Sequence, residues 1–238
     1  MGSSAIQIYE LGDQALTIEW SSTINEAANQ KVMRAFRYWQ KNPIVGVTDI
    51  IPAYSSLTLV YDAAIIQQQS RGLSPTTWLS QQINSVNALE ATPLEETAPL
   101  IIPVCYDPSI APDLEFAAEF TNCSVEEFIL IHSSRTYKVY MLGFLPGFAY
   151  MASVDKKIRL PRKETPRKLV ASGSVGIAGE QTGIYPLDAP GGWQLIGKTP
   201  ISLFDISKED PCFFKPGDRV KFEPISLDAF HYLKNENT

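Results

Sequence analysis

The segment between residues 140 and 200 constrains this chain most, because glycine and proline interrupt it too often for a long helix or strand. Large aromatic residues lie between the interruptions, on backbone that the prolines stiffen. An exposed flexible linker would carry serine, lysine and glutamate instead. We therefore expect ordered loops that form a surface; the alternative is that the aromatic residues close the ends of a barrel core. The candidates for a pocket wall or a subunit interface are Phe144, Phe148, Tyr150 and Trp193.

Composition limits the classes of function. The chain has 238 residues, of which 45% are hydrophobic and 19% charged, as in an ordinary globular protein. Its net charge of −6 argues against a general nucleic-acid binder. The sequence contains neither an apolar run long enough to span a membrane nor a signal peptide, so we predict a cytoplasmic protein without a membrane partner. Three widely spaced cysteines and two histidines predict reduced thiols and no metal site.

The first part of the chain predicts a small α+β domain, assigned to residues 1–92. Its element order is strand, strand, helix, strand, strand, helix, which indicates a small sandwich with ferredoxin-like order and helices on one sheet face. The strands are predicted at residues 6–9, 15–20, 45–51 and 56–61. The helices are predicted from Thr23 or Asn25 to about residue 41, and over residues 75–89.

Residues 90–99 have the composition of a linker, and the pattern then changes. We assign residues 93–238 to a second domain, a closed or nearly closed β-barrel with a few helices. The helices are predicted at residues 113–120 and after Ser124, which opens a capping box. The strands are predicted at residues 100–105, 137–142, 170–177, 192–196, 201–204 and 219–223.

Residues 192–199 match the phosphate-binding loop pattern G-x-x-x-x-G-K-[ST]. That loop works only when a helix follows it, because the N–H groups of the helix face the phosphates. Here Pro200 moves Thr199 away from helical geometry, and the residues around Trp193 have the alternation of a strand. We therefore predict no phosphate-binding loop of this type, although Lys198 remains a candidate for contact with an anion in another geometry.

Polar candidates for substrate or phosphate binding lie in the same segment. Two arginines on proline-stiffened backbone can grip a carboxylate or phosphate with paired hydrogen bonds, although surface ion pairs are an equally good interpretation. No nucleophile elbow or Ser-His-Asp arrangement is recognisable, and His132 is better explained as a structural residue than as a general base. The catalytic residues are therefore unassigned. The binding candidates are Arg162, Arg167, Gln181, Tyr185 and Lys198.

Several blocks in a fixed order resemble one family, the B subunits of bacterial 5-oxoprolinases, which are also called allophanate hydrolase subunit 1 or KipI. The resemblance covers nearly the whole chain. The blocks are Ile-Pro-Ala-Tyr at 51–54, Ile-Pro-Val-Cys-Tyr at 102–106, Gly-Phe-Leu-Pro-Gly-Phe-Ala-Tyr at 143–150, Gln-Thr-Gly-Ile-Tyr-Pro at 181–186, Pro-Gly-Gly-Trp at 190–193, Gly-Lys-Thr-Pro at 197–200 and Pro-Gly-Asp at 216–218.

The resemblance implies an N-terminal α+β domain followed by a cyclophilin-like β-barrel. It also implies ATP-dependent opening of 5-oxo-L-proline to L-glutamate, carried out with the A and C subunits of the 5-oxoprolinase as partners. This chain would then be one subunit of a hydrolase, inactive alone, and the sequence does not say whether ATP contacts it. Two alternatives stay open: an inhibitor that binds a sensor histidine kinase, and a subunit of a urea-carboxylase-type carboxyltransferase.

Overall fold

The chain folds into two compact units, Met1–Glu96 and Thr97–Thr238. The computed structural model describes residues 6–87 and 98–236. The domain boundary predicted between residues 92 and 93 lies outside the described residues and stays a prediction. No helix in the described ranges is both long and apolar enough to cross a membrane.

The first unit is an antiparallel four-stranded sheet covered by helices. The strands occur in the order β1-β2-β4-β3. On β4 every second residue is buried, and Trp39 of α1 packs into the same core. The predicted α+β class is confirmed, the ferredoxin-like order stays a prediction, and α2 was not predicted. The elements are β1 (Gln7–Glu10), β2 (Ala15–Glu19), α1 (Glu26–Lys41), β3 (Val47–Pro52), β4 (Ser56–Tyr61), α2 (Ala63–Gln69) and α3 (Pro75–Asn87).

The second unit is built on a closed seven-stranded barrel, as the sequence predicts. Its strands follow one another in the order β10-β7-β6-β13-β5-β12-β9, and β8 pairs with β11 in a separate two-stranded sheet. The elements are β5 (Leu100–Cys105), α4 (Leu114–Phe120), α5 (Val125–Ser134), β6 (Thr136–Leu142), β7 (Ala149–Ala152), β8 (Arg167–Val170), β9 (Ser174–Ala178), β10 (Gln181–Ile184), β11 (Ala189–Gly191), β12 (Gln194–Lys198), β13 (Arg219–Ile225) and α6 (Leu227–Glu236).

Three details of the predicted barrel are wrong. The strand predicted at residues 170–177 is two strands, β8 and β9, because Gly173 turns the chain with a φ of +80°. Residues 201–204 form no strand: Pro200 has no N–H to donate, and the N–H of Ile201 is directed to Thr199 Oγ1 at 3.3 Å. Finally, the segments expected to be loops contain β7, β10 and β11.

His132 of α5 is buried in the barrel core, where its ring stacks on Phe222 with 4.7 Å between centroids. Thr182 Oγ1 donates to the carbonyl of Gly176 at 3.0 Å, so it accepts from His132 Nε2–H at 3.1 Å. His132 Nδ1 then accepts from the hydroxyl of Tyr106 at 2.8 Å. Burial lowers the pKa of His132 to about 3. This neutral, fully bonded ring supports the structural role expected from the sequence.

His132 makes the stability of the chain depend on pH. Between a pKa near 6.5 in the unfolded chain and about 3 in the folded chain, only the unfolded state binds this proton. Stability is therefore lost as the pH falls through this window, by about 2 to 3 kcal/mol between pH 7 and pH 4.5. Denaturant titrations at both pH values check this: His132→Gln should reduce the loss by that amount, whereas the exposed His231→Gln should not. An equal loss in wild type and His132→Gln would contradict the assignment.

Gly173 gives a second stability prediction. An alanine Cβ at this position would lie 2.5 Å from the carbonyl oxygen of Thr199, which is a steric clash. Alanine would also be strained by the left-handed backbone conformation of this residue. Gly179 also has a positive φ, of +61°, but a Cβ there would have no atom within 4 Å. We expect Gly179→Ala to cost about 1 to 2 kcal/mol of unfolding free energy, and Gly173→Ala about 1 to 3 kcal/mol more. Equal losses in the two variants would show that the backbone around Thr199 relaxes freely.

Candidate functional site

An aromatic cavity of about 230 Å³ lies on the second unit, at the ends of β7, β10, β11 and β12. It brings together all four predicted aromatic candidates and two of the five polar candidates, Arg162 and Tyr185. Pro166 and the β11–β12 turn complete its wall. The lining residues are Phe144, Phe148, Tyr150, Arg162, Pro166, Tyr185, Pro190, Gly191, Gly192 and Trp193.

The aromatic cavity lies outside the barrel core. Along β7, Ala149 and Met151 belong to the core, whereas Tyr150 and the preceding Phe148 belong to a separate cluster that also contains Trp193. Side chains alternate between the two faces of a strand, so this cluster covers the outer face. The alternative that the aromatic residues close the ends of the barrel core is therefore wrong for this cluster.

Phe148 is the centre of the aromatic cluster and is 1% exposed. It makes edge contacts with Tyr150, Tyr185 and Trp193, at centroid distances of 4.8, 5.3 and 5.4 Å. Aromatic pairs in this arrangement each contribute about 0.5 to 1.5 kcal/mol beyond their buried area. Because Phe148 fixes three rings at once, the wall of the cavity is held in a defined shape before any ligand binds.

Two glycines let the rings approach the backbone. At Gly183 in β10 a Cβ would lie 3.1 Å from the ring of Phe148 and 3.2 Å from that of Trp193. At Gly191 in β11 a Cβ would overlap the phenol ring of Tyr185. Glycine inside a strand often marks such a close approach. Gly183 and Gly191, which weaken the strand pattern of β10 and β11 in the sequence, therefore make room for the aromatic rings of the cavity wall.

Phe144 forms the rim of the aromatic cavity. Its side chain is 59% exposed and meets the ring of Phe148 edge-on at 5.6 Å. Its φ of +66° lies in the left-handed region, which costs a bulky residue about 1 to 3 kcal/mol. An exposed aromatic side chain in a strained backbone conformation is typical of a functional position rather than a core position.

Arg162 supplies positive charge at the mouth of the cavity. Burial raises the pKa of Tyr185 above its usual value, while a hydrogen bond from the N–H of Trp193 and the positive charge of Arg162 oppose this shift. Burial also raises the pKa of Tyr150, again opposed by Arg162. One guanidinium therefore acts on two neutral phenol groups, a combination that can bind a carboxylate together with a second polar group.

Asp113, which the sequence indicated only as a helix start, holds the basic segment against the barrel. Its side chain is 7% exposed, and Oδ1 accepts from Arg167 Nη2 at 2.6 Å. Its Oδ2 accepts from the N–H of Leu195 at 2.6 Å, and its own N–H donates to the carbonyl of Leu195. Arg167 is thus a bonded structural partner beside the aromatic cavity, not one of its lining residues.

The two remaining polar candidates lie away from the aromatic cavity. Gln181 lies in β10 between Ala152 of β7 and Ala178 of β9. Lys198 lies at the end of β12 and lines a different cavity. The residues that match the phosphate-binding loop run into β12, and the described chain continues without a helix until α6, so the rejection of that loop agrees with the structure.

Comparison with known proteins identifies the family to which the chain belongs. Residues 6–214 match the family model described as carboxyltransferase domain, subdomain C and D. The 5-oxoprolinase B subunit of Bacillus subtilis is 42% identical over 97% of this chain and 98% of its own length. The Escherichia coli O157:H7 protein of the same name is 36% identical over 91% of this chain and 94% of its own. The chain belongs to this carboxyltransferase-domain family, among the B subunits of 5-oxoprolinases, as the resemblance predicted.

Solved structures support the same fold. The crystal structure of TTHA0988 matches with a TM-score of 0.77 and 33% identity, over 90% of this chain and 40% of that longer chain. The Kluyveromyces lactis urea amidolyase matches 99% of this chain and 16% of its own, with a TM-score of 0.73 and 18% identity. The second likeness shows a shared fold alone, so the carboxyltransferase alternative stays a prediction, as does the kinase-inhibitor alternative.

The ion pair between Asp113 and Arg167 generates a prediction. Asp113→Asn keeps the shape of the side chain but leaves Arg167 without its carboxylate in a mostly buried position. We expect a loss of about 1 to 3 kcal/mol in unfolding free energy, measured by denaturant titration. Glu180→Gln is the matched control, because its pair with Arg159 is about half exposed and should contribute less than about 1 kcal/mol. Similar losses in both variants would contradict the anchoring role of Asp113.

Proposed function

We propose that this chain is the B subunit of an ATP-dependent 5-oxoprolinase, which opens 5-oxo-L-proline to L-glutamate together with the A and C subunits. The likeness to proteins named as 5-oxoprolinase B subunits, over nearly the whole of both chains, carries this proposal. The aromatic cavity is the position that we assign to the ring of the substrate.

The lining of the aromatic cavity matches the chemistry of 5-oxoproline. The substrate has a small flat ring, a carboxylate and a lactam group. The exposed ring of Phe144 offers an apolar face at the rim, and the buried rings of Phe148 and Trp193 form the floor of the cavity. Arg162 offers a cation for the carboxylate, and the hydroxyls of Tyr150 and Tyr185 offer hydrogen bonds for the lactam. We assign binding and orientation to these groups, since a phenol with a raised pKa remains a neutral donor at neutral pH.

The lining also explains why partner subunits would be needed. None of the residues around the aromatic cavity is a serine, cysteine, histidine or carboxylate, so this wall holds neither a nucleophile nor a general base. In the proposed reaction the lactam oxygen takes the γ-phosphoryl group of ATP and ADP leaves. Water then adds to the activated carbon, the ring C–N bond breaks with a proton passing to the nitrogen, and a second water releases phosphate to give L-glutamate. The groups that drive those steps would come from the A and C subunits, and this chain alone would be inactive.

The proposed assembly works in the cytoplasm. Cys105, Cys123 and Cys212 are all free thiols, as expected in a reducing compartment.

The proposed function is tested by 5-oxoproline-dependent ATP hydrolysis and glutamate formation, measured for this chain alone and mixed with the homologues of the A and C subunits from the same genome. Activity is expected only in the full mixture. A mixture that assembles but has no activity would contradict the proposal.

Arg162→Gln tests the role of the aromatic cavity. Loss of the cation removes a charge-assisted hydrogen bond to the substrate carboxylate, so kcat/KM for 5-oxoproline should fall about 10- to 100-fold, mostly through KM. The matched control is Arg135→Gln, which removes an arginine of the same unit whose surface pair with Asp155 is half exposed and lies outside the cavity. Equal kcat/KM for both variants and wild type would remove Arg162 from the site while leaving the reaction itself established.

A further inference from the structure

A second cavity in the same unit carries two lysines. It has a volume of about 190 Å³ and is lined by Ser172, Gly173, Pro186, Lys198, Thr199, Pro200, Ile201, Ser202, Phe230 and Lys234. It shares no lining residue with the aromatic cavity. No carboxylate is among its lining residues, and in residues 6–87 and 98–236 Lys198 forms no ion pair.

Hydrogen bonds fix the backbone around this second cavity, which we call the lysine cavity. Gly173 accepts from the N–H of Thr199 at 2.9 Å and donates to the carbonyl of Tyr185 at 2.7 Å. The Asp188 carboxylate accepts from the N–H of Ser172 at 2.7 Å. Asp188, the acidic group whose charge acts on Lys198, is therefore bonded to the backbone of the turn. The side chains of Ser172 and Ser202 are exposed at the cavity. The Ser202 hydroxyl donates to the carbonyl of Phe204 at 3.4 Å and can rotate to donate to a ligand, as the Ser172 hydroxyl can.

The electrostatics of the lysine cavity favour an anion. Desolvation lowers the pKa of Lys198, the positive charge of Lys234 lowers it further, and Asp188 opposes the shift. The chain as a whole has a net charge of −6, but at this cavity two ammonium groups repel each other and make the local charge positive. A bound anion would relieve this repulsion, whereas a cation would increase it.

We propose that the lysine cavity is a binding site for a phosphate group, held by the ammonium groups of Lys198 and Lys234 with hydrogen bonds from Ser172 and Ser202. A phosphate group offers more acceptor oxygens to the two ammonium groups than a simple carboxylate does, and it carries up to two negative charges. Phe230, Pro186 and Pro200 form apolar walls that exclude water from one side of the anion.

This inference goes beyond the proposed function and does not depend on it, because it concerns binding by the chain alone. The phosphate group can belong to free inorganic phosphate or to a nucleotide, and both present the same oxyanion to the two lysines. The lysine cavity also gives Lys198 the anion contact expected from the sequence, in a geometry unrelated to a phosphate-binding loop.

Calorimetric titration of the full chain at low salt with inorganic phosphate, and separately with ATP, tests the proposal. We expect saturable binding of at least one of them, weakened about tenfold or more in Lys198→Gln and in Lys234→Gln. The control is Lys221→Gln, which removes an exposed strand lysine that does not line the cavity.

The two ligands also identify the source of the phosphate. If ATP binds much more tightly than phosphate and competes with it, the lysine cavity is assigned to a nucleotide. If phosphate binds and ATP does not displace it, the cavity is assigned to the free ion. Either result supports the site if the lysine variants weaken it. Absence of binding by both ligands, or equal weakening in Lys221→Gln, would overturn the proposal. 5-Oxoprolinase activity of the assembled complex would be unaffected by that failure, so the two proposals can fail separately.

Discussion

The close packing of Phe148 and Trp193 over Gly183 is the constraint on which the candidate site depends. Both rings would lie within 3.2 Å of a Cβ at that position, so the outer face of β10 must be bare for the cluster to form. Tyr150, Tyr185 and Phe144 are then held through their edge contacts with Phe148. A small and defined apolar cavity on the outside of the barrel is the result, while its interior is filled by an ordinary aliphatic and aromatic core.

Charge is divided between two places on the second unit. Arg162 acts on the phenols of the aromatic cavity, whereas Lys198 and Lys234 act on each other in the lysine cavity. Arg167 lines neither cavity. Its guanidinium is bonded to Asp113, which is anchored in turn to Leu195 of β12, and its charge opposes the raised pKa of Tyr185 from there. The structure therefore separates Arg162, which lines the aromatic cavity, from Lys198 and Lys234, which line the lysine cavity. Arg167 attaches the segment around residue 167 to Asp113.

Much of this arrangement was predictable from the sequence. The aromatic residues of 144–150 and 185–193 do converge, and the absence of a helix after Thr199 was correctly expected from Pro200. The strands β10 and β11 were missed because glycine and proline weaken their strand patterns, although Gly183 and Gly191 serve close packing. The short strand β7 was missed because it closely follows Pro146 and Gly147. Asp113 was missed as an anchor because a lone aspartate after proline reads as a helix cap. Its partners are 54 and 82 positions away, beyond any local pattern. Lys234 was missed with α6, for which Ser226 as a capping residue was the available signal.

We propose that the aromatic cavity holds the ring of a small lactam acid. The most direct measurement is a crystal structure of the assembled complex with 5-oxo-L-proline bound. We expect the ring of the substrate against Phe144, above the floor that Phe148 and Trp193 form, with its carboxylate on Arg162 and its lactam group within hydrogen-bond distance of Tyr150 or Tyr185. A substrate bound entirely by the partner subunits, with the aromatic cavity empty or filled by a partner side chain, would contradict the claim and make this surface an interface instead.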